Sequence, residues 1–158
     1  MKRFISLCPV LLAVSCLALI GGEDRGRPTC DYCRMILTEK DYGGRIKTTK
    51  GKVLIFDSTE CMAAFVTKEM VKPAEIGSIW SVYFGQPSRL LNAKTACYLR
   101  SASMMSPMSI NLSAYPSRAE AERMRQNHPG ELLSWPQVLD LIKEKWFPEM
   151  LGGPRRRG

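Results

Sequence analysis

One pattern recurs along this chain at a fixed offset and constrains its fold more than any other feature. Phe56-Asp57-Ser58 and Tyr115-Pro116-Ser117 each close an extended apolar stretch and open a helical one. Around the first copy, residues 45–49 and 53–57 flank Lys50-Gly51-Lys52, a hairpin signature with glycine in the turn. Ser58 is a good N-cap, and Met62, Phe65, Val66 and Met70 then recur at helical spacing. Residues 79–84, rich in aromatic and branched side chains, complete a β-β-α-β unit. The second copy repeats the order: strands at 96–100 and 110–115, a helix from Ser117 through Gln126 with Glu120 closing a capping box, and a short strand at 131–134. Similar units that cannot bury their apolar faces alone pack together. A last helix over 136–146, carrying Val138, Leu139, Leu141, Ile142 and Trp146, is expected to cover the remaining sheet surface. The expected fold class is therefore α+β, two tandem β-β-α-β units at about 30–86 and 90–135 plus a C-terminal helix.

The N-terminus indicates the compartment. Met1-Lys2-Arg3 precedes a run from Phe4 to Ile20 interrupted only by Ser6, Pro9 and Ser15, which fits a secretory leader and is short for a bilayer span. Leu12-Ala13-Val14-Ser15-Cys16 reads as a lipobox, in which Cys16 becomes acylated and N-terminal after cleavage. Cleavage near Ile20-Gly21-Gly22, or retention of the segment as an anchor, are the competing readings. All three export residue 30 onward to the periplasmic side of a bacterial membrane.

Charge excludes one class of partner. Of the net +8, two charges are Lys2 and Arg3 in the leader and three are Arg155-Arg156-Arg157 in a glycine-flanked tail. That tail, residues 147–158, is expected to be disordered. The other basic residues are dispersed among acidic ones. No basic face with interleaved aromatics is present, so nucleic acid is not an expected partner.

Cys30-Asp31-Tyr32-Cys33-Arg34-Met35 sets two thiols and a thioether within six residues just past the leader. Thiolate and thioether donors select Cu(I), whereas magnesium and calcium take oxygen and zinc takes Cys and His. Two disulfides among Cys30, Cys33, Cys61 and Cys97 are the bland alternative for an exported chain, although the core is large enough to fold without bridges. Thiol-disulfide exchange through Cys30 and Cys33 would want a strand before the motif, and the run from Gly21 to Thr29 supplies none. Structural zinc would want four ligands in close pairs. Cys61 and Cys97 stand apart in sequence, and the single histidine, His128, falls in the helix stop Gln126-Asn127-His128-Pro129-Gly130. Catalytic triads, phosphate loops and paired carboxylates are absent, so an enzyme is not expected.

Ser103-Met104-Met105-Ser106-Pro107-Met108-Ser109 places three methionines in a loop, where there is less core for them to fill. Met104 and Met105 are compatible with simple packing, as are Met62, Met70 and Met124 on their helices. Pro107 stiffens the loop before Met108 and aims its thioether at a fixed point, which makes Met108 the best remote ligand for a site begun by Cys30, Cys33 and Met35.

These residues give the chain a family likeness. Cys30-Asp31-Tyr32-Cys33-Arg34-Met35, the stretch Val53-Leu54-Ile55-Phe56-Asp57-Ser58-Thr59-Glu60-Cys61-Met62, and Ser106-Pro107-Met108 followed by Leu112-Ser113-Ala114-Tyr115 resemble, in order and spacing, the NosL family of copper-chaperone lipoproteins associated with nitrous oxide reductase assembly. The resemblance covers most of residues 30–142. It implies a tandem β-β-α-β fold, lipid anchoring, and delivery of Cu(I) to a copper acceptor protein or its assembly machinery. It further implies Cys30 and Met108 as principal ligands, Cys33 and Met35 as supporting donors, and Met62 as an additional contact. Two departures stand out: Arg34 occupies a position where the family usually has glycine, and Cys97 one where it tends to have an aromatic residue. With Cys30 on a mobile N-terminal segment and Met108 in a loop, ligand exchange with an acceptor would be easy.

Overall fold

A computed structural model describes residues 26–151. The leader with its lipidation candidate Cys16, and the arginine-rich end, lie outside the described residues.

The first unit is built as its sequence suggests. Strands β1 (Gly44–Thr48) and β2 (Val53–Phe56) pair antiparallel, with Gly51 at φ +87 in the turn between them. Helix α1 (Thr59–Thr67) follows at once, and β3 (Ile76–Tyr83) returns to pair antiparallel with β1. Residues 86–92 then form a strand that the repeat did not announce, β4 (Gln86–Asn92), which extends β3 as a hairpin. Its sequence, QPSRLLN, lacks the alternation that marks a half-buried strand, and most of it is exposed. Backbone pairing to β3, not apolar burial, makes it a strand.

In the second unit β5 (Cys97–Arg100) and β6 (Leu112–Tyr115) pair antiparallel, α2 (Arg118–Asn127) crosses, and β7 (Glu131–Leu133) pairs antiparallel with β5. Each unit thus places its first strand between the other two, and the two units join into one sheet of order β2-β1-β3-β6-β5-β7 with β4 beside β3. The junction is narrow. β3 and β6 run parallel and share the register pair Tyr83 with Ala114, supported by the Phe84 N–H donating to the Ala114 carbonyl at 3.0 Å.

The two helices of the repeat do not pack on each other. Neighbouring residues of a strand point to opposite faces, and Tyr98 and Leu99 of β5 fall in different apolar clusters, as do Ala114 and Tyr115 of β6. One face carries α1, with Phe65, Ile46 and Leu54; the other carries α2 with Ala121, against Leu99, Tyr83 and Tyr115. The last helix, α3 (Trp135–Trp146), lies on the first of these faces. It was expected to cover bare sheet, yet it packs chiefly against α1 and reaches the sheet at β5, where Trp135 meets the Tyr98 ring at 5.9 Å. The reason is that α1 leaves the flank of β5 open on that side, and the Trp135, Val138, Ile142 stripe of α3 fills the corner between helix and strand.

Capping follows the sequence with one change. The Ser58 hydroxyl accepts from the Cys61 N–H at 3.2 Å and the Ser117 hydroxyl accepts from the Glu120 N–H at 3.3 Å. The Glu120 carboxylate, expected to reach back to complete a capping box, instead takes the Tyr83 hydroxyl across the junction between units. A buried phenol in need of a partner competes better for that carboxylate than a solvated N-terminal amide. The tail expected from residue 147 keeps structure through a 3₁₀ turn, Pro148–Leu151, because Phe147 is buried with the Lys68 ammonium 4.7 Å from its ring centre.

Tyr98 ties the two units together inside the core. Its hydroxyl is fully buried, bonded to the Ser81 hydroxyl of β3 at 2.8 Å and donating to the Ala93 carbonyl at 3.0 Å. Tyr98→Phe leaves two buried polar groups short of a partner and is expected to cost about 1–3 kcal/mol, read as a lower urea midpoint at unchanged slope. An unshifted midpoint would show that the hydroxyl contributes nothing to joining the units.

Candidate metal centre

Asp57, Ser58, Thr59 and Glu60 are consecutive polar residues, all buried, at the corner where β2 passes into α1. Polar side chains are seldom buried in a row unless something needs them there. Cys61 comes next and is also fully buried.

The motif expected on a mobile segment is folded onto this corner. Thr29 and Ile36 form a bridge, the Cys30 N–H donates to the Met35 carbonyl at 2.8 Å, and the Arg34 N–H donates to the Cys30 carbonyl at 3.0 Å. Asp31 then fastens the turn to β2: its N–H donates to the Ile55 carbonyl at 2.8 Å and its carboxylate accepts from the Ile55 N–H at 2.7 Å. Tyr32 stacks on Trp146 of α3 with ring centres 6.3 Å apart. Cys30 is consequently 0% exposed, held by a turn that behaves as an extra strand edge on β2. Sequence gave no warning, because the pairing is made by Asp31 with a strand 24 residues away. Within the turn Arg34 sits at φ +67, a left-handed conformation that costs an ordinary residue roughly 1 kcal/mol and a glycine nothing. Glycine would suit this position, and Arg34 adopts the left-handed backbone without it.

The Sγ atoms of Cys30, Cys33 and Cys61 and a carboxylate oxygen of Asp57 lie within 4.8 Å of one another. The Cys33 thiol donates to Asp57 Oδ2 at 3.3 Å, while Asp57 Oδ1 is buried with no hydrogen-bond partner. All four cysteines of the described residues are free thiols. The Cys61 thiol, hydrogen-bonded to Cys30, is the main influence that lowers the Cys30 pKa to about 6 against the opposing effect of burial; backbone amides of Asp57, Cys33 and Tyr32 assist. Cys61 is correspondingly pushed well up by donating to Cys30 and by burial. Burial raises Cys33 to about 11, with its bonds to Cys30 and Asp57 adding to the rise. Of the three thiols Cys30 is therefore the most readily ionised, and Cys33 and Cys61 hold their protons more firmly. Three convergent sulfurs and an orphaned carboxylate oxygen form a donor set suited to a thiophilic metal ion, which would displace the thiol protons on binding.

The remaining sequence candidates divide. Met108 is half-buried and, like Cys33, packs against the large apolar core of this face, which includes Cys30 and Cys61. Met35 is 55% exposed at the edge of the turn. Met62 is fully buried, with its sulfur close beneath Gly44 of β1, where even a Cβ would come to 2.6 Å. Met104 points to the opposite face, accepting from the Ser113 hydroxyl at 3.9 Å, and Met105 is exposed. Cys97 belongs to that opposite face too, so it is remote from the thiol cluster, and burial raises its pKa. Its neighbours suit the filler role read from the sequence. Cys61 and Asp57 are what the sequence reading left out of the site. Cys61 was judged isolated by spacing, and only the docking of the N-terminal turn onto the β2–α1 corner brings it to Cys30. The sequence signal available was its place in the first turn after the Ser58 cap.

Comparison with known proteins bears on the family and the fold. The family described as NosL matches residues 25–141. A solved structure titled as the copper chaperone NosL from Shewanella denitrificans superposes with a TM-score of 0.61 at 19% identity, covering 70% of this chain and 88% of that one. At that identity the likeness concerns the fold. No curated protein matches the sequence.

Proposed function

The chain belongs to the NosL family, and from that premise we propose that it is an exported metallochaperone that takes up Cu(I) at the Cys30, Cys33, Cys61 cluster and passes it to a copper enzyme, with nitrous oxide reductase assembly as the client system. The observation that carries this reading is the convergence of three thiols and a buried carboxylate within 4.8 Å, on the fold of a protein titled a copper chaperone. Soft sulfur donors favour Cu(I) over the hard cations. In this reading Met108, which packs against the same apolar core, supplies a thioether that closes the site. Met35, half-exposed beside the thiols, is the donor an acceptor would meet first on its way in.

Transfer follows from this layout. Cys30, whose pKa is lowered by the Cys61 thiol, is the sulfur that ionises first and captures the ion, and Cys33 and Cys61 give up their protons in turn. Release reverses the order, each departing sulfur regaining its proton as an acceptor thiolate replaces it, with no change in copper oxidation state. Acylation at Cys16 would hold the protein at the periplasmic membrane surface. Among the described residues no helix is long and apolar enough to cross a membrane.

Competition of the reduced protein with a chromogenic Cu(I) chelator tests the proposal. One copper per chain held against the chelator, with a sulfur-dominated first shell in copper X-ray absorption, is the expected result. Failure to compete, or preferential retention of a divalent ion from an equimolar mixture, would overturn it.

A further inference from the structure

The loop that carries Met108 is anchored by a carboxylate whose neighbour in sequence is Cys61. Glu60 is completely buried, and its Oε1 accepts from the Ser106 hydroxyl and from the Leu112 N–H, the latter at 3.3 Å. Ser106 in turn organises the loop: its N–H donates to Asn111 Oδ1 at 3.2 Å, its hydroxyl accepts from the Asn111 N–H at 3.0 Å, and its carbonyl accepts from the Ser109 N–H at 3.1 Å. The loop needs such fastening, because Ser109 and Asn111 adopt φ of +62 and +67, left-handed conformations without glycine. Ser106 is itself 94% buried, so the bond to Glu60 is shielded from competing water.

We propose that Glu60 and Ser106 are positioning residues for copper: their bond locks the Met108 loop to the first turn of α1, so that the thioether is delivered to the thiol cluster from a fixed direction. This rests on the reading above that Met108 is a copper ligand. Neither residue touches the metal. Glu60 is one position before Cys61 and Ser106 two before Met108, so a single bond spans the two halves of the ligand set contributed by the two units of the fold. A thioether is a weak donor, and holding it in place limits what the site loses when an ordered loop would otherwise swing away. Outer-shell groups of this kind typically change metal affinity about 10- to 100-fold when removed.

The test is a double-variant cycle on the reduced full-length protein in detergent, read as Cu(I) affinity by chelator competition. Ser106→Ala should weaken binding about tenfold in the wild-type background and less than about twofold in the Met108→Leu background, since there is then no thioether left to position. Glu60→Gln, which keeps an oxygen acceptor for Ser106, should stay near wild type, whereas Glu60→Ala should match Ser106→Ala. The copper X-ray absorption of Ser106→Ala should lose the long sulfur contribution in the same way as Met108→Leu. Wild-type affinity in Ser106→Ala, or an equal loss in both backgrounds, overturns the positioning role. Wild-type affinity in Met108→Leu itself overturns the ligand assignment on which the role rests, so the two failures read differently. Far-ultraviolet circular dichroism of each variant identifies any loss that comes from unfolding, and an unfolded Ser106→Ala is replaced by the Glu60 pair, whose contrast then decides.

Discussion

Cys30→Ser is expected to remove tight Cu(I) binding, lowering affinity by more than about 100-fold, because loss of a ligand should exceed the 10- to 100-fold typical of outer-shell groups. Cys30 is the most readily ionised thiol of the cluster and the sulfur to which Cys61 donates, so serine in its place removes the first capture point and offers Cys61 only a neutral hydroxyl that does not bind a soft metal ion. Cys61→Ser should produce a loss of similar order, which is the feature that separates the cluster from a site built on Cys30 and Cys33 alone. Cys97→Ser, on the other face of the sheet, should bind as wild type. Chelator competition on the three variants measures all of this in one series. If Cys61→Ser bound normally while Cys30→Ser failed, the metal would be held by the N-terminal turn without the helix, and the β2–α1 corner would be scaffold only. If Cys97→Ser also lost copper, the effect would be one of folding or aggregation and the cluster assignment would lose its support.

A large stability effect should come from a position that looks innocuous in the sequence. Gly44→Ala places a Cβ 2.6 Å from the Trp80 carbonyl oxygen and 2.6 Å from the Met62 sulfur. The methionine can swing aside, but the carbonyl belongs to the β1–β3 ladder, in which Gly44 stands opposite Ser81, and cannot move without opening that pairing. Overpacking of this kind costs about 1–3 kcal/mol, and a backbone obstacle puts the expected value near the upper end. In a chain of this size that is a fall in melting temperature of roughly 10 °C. Copper affinity at a temperature where the variant is folded should be little changed, since Met62 fills the space beneath β1 and is not needed as a ligand on this reading. Wild-type melting would mean that α1 does not sit as close to β1 as described. Loss of copper binding from a folded Gly44→Ala would instead argue for Met62 in the coordination sphere.

Both expectations depend on how far local pattern carried into three dimensions. The repeat was legible because its instructions are local: a glycine turn in the first copy, and in both copies a serine that caps at a bond of about the same length and apolar residues at the right period. Cys30 and Cys33 were legible as candidate donors because sulfur chemistry is a property of the residue, independent of the fold. β4 was not legible, since its residues are exposed and its strand character comes entirely from a neighbour.

The sequence by itself determined the order of elements within each β-β-α-β unit, the helix starts at Ser58 and Ser117, and the soft-donor character of the N-terminal motif. Tertiary structure alone decided that the two units share one sheet through a single register pair at Tyr83 and Ala114, with their helices on opposite faces. It also decided that Cys61 and Asp57 complete the cluster and that Cys97 does not. The physical reason is that periodicity and capping act over a few residues, within the reach of a hydrogen bond along one element. Assembly of the site depends on Asp31 finding Ile55 and Glu60 finding Ser106, contacts 24 and 46 residues apart that no local pattern encodes.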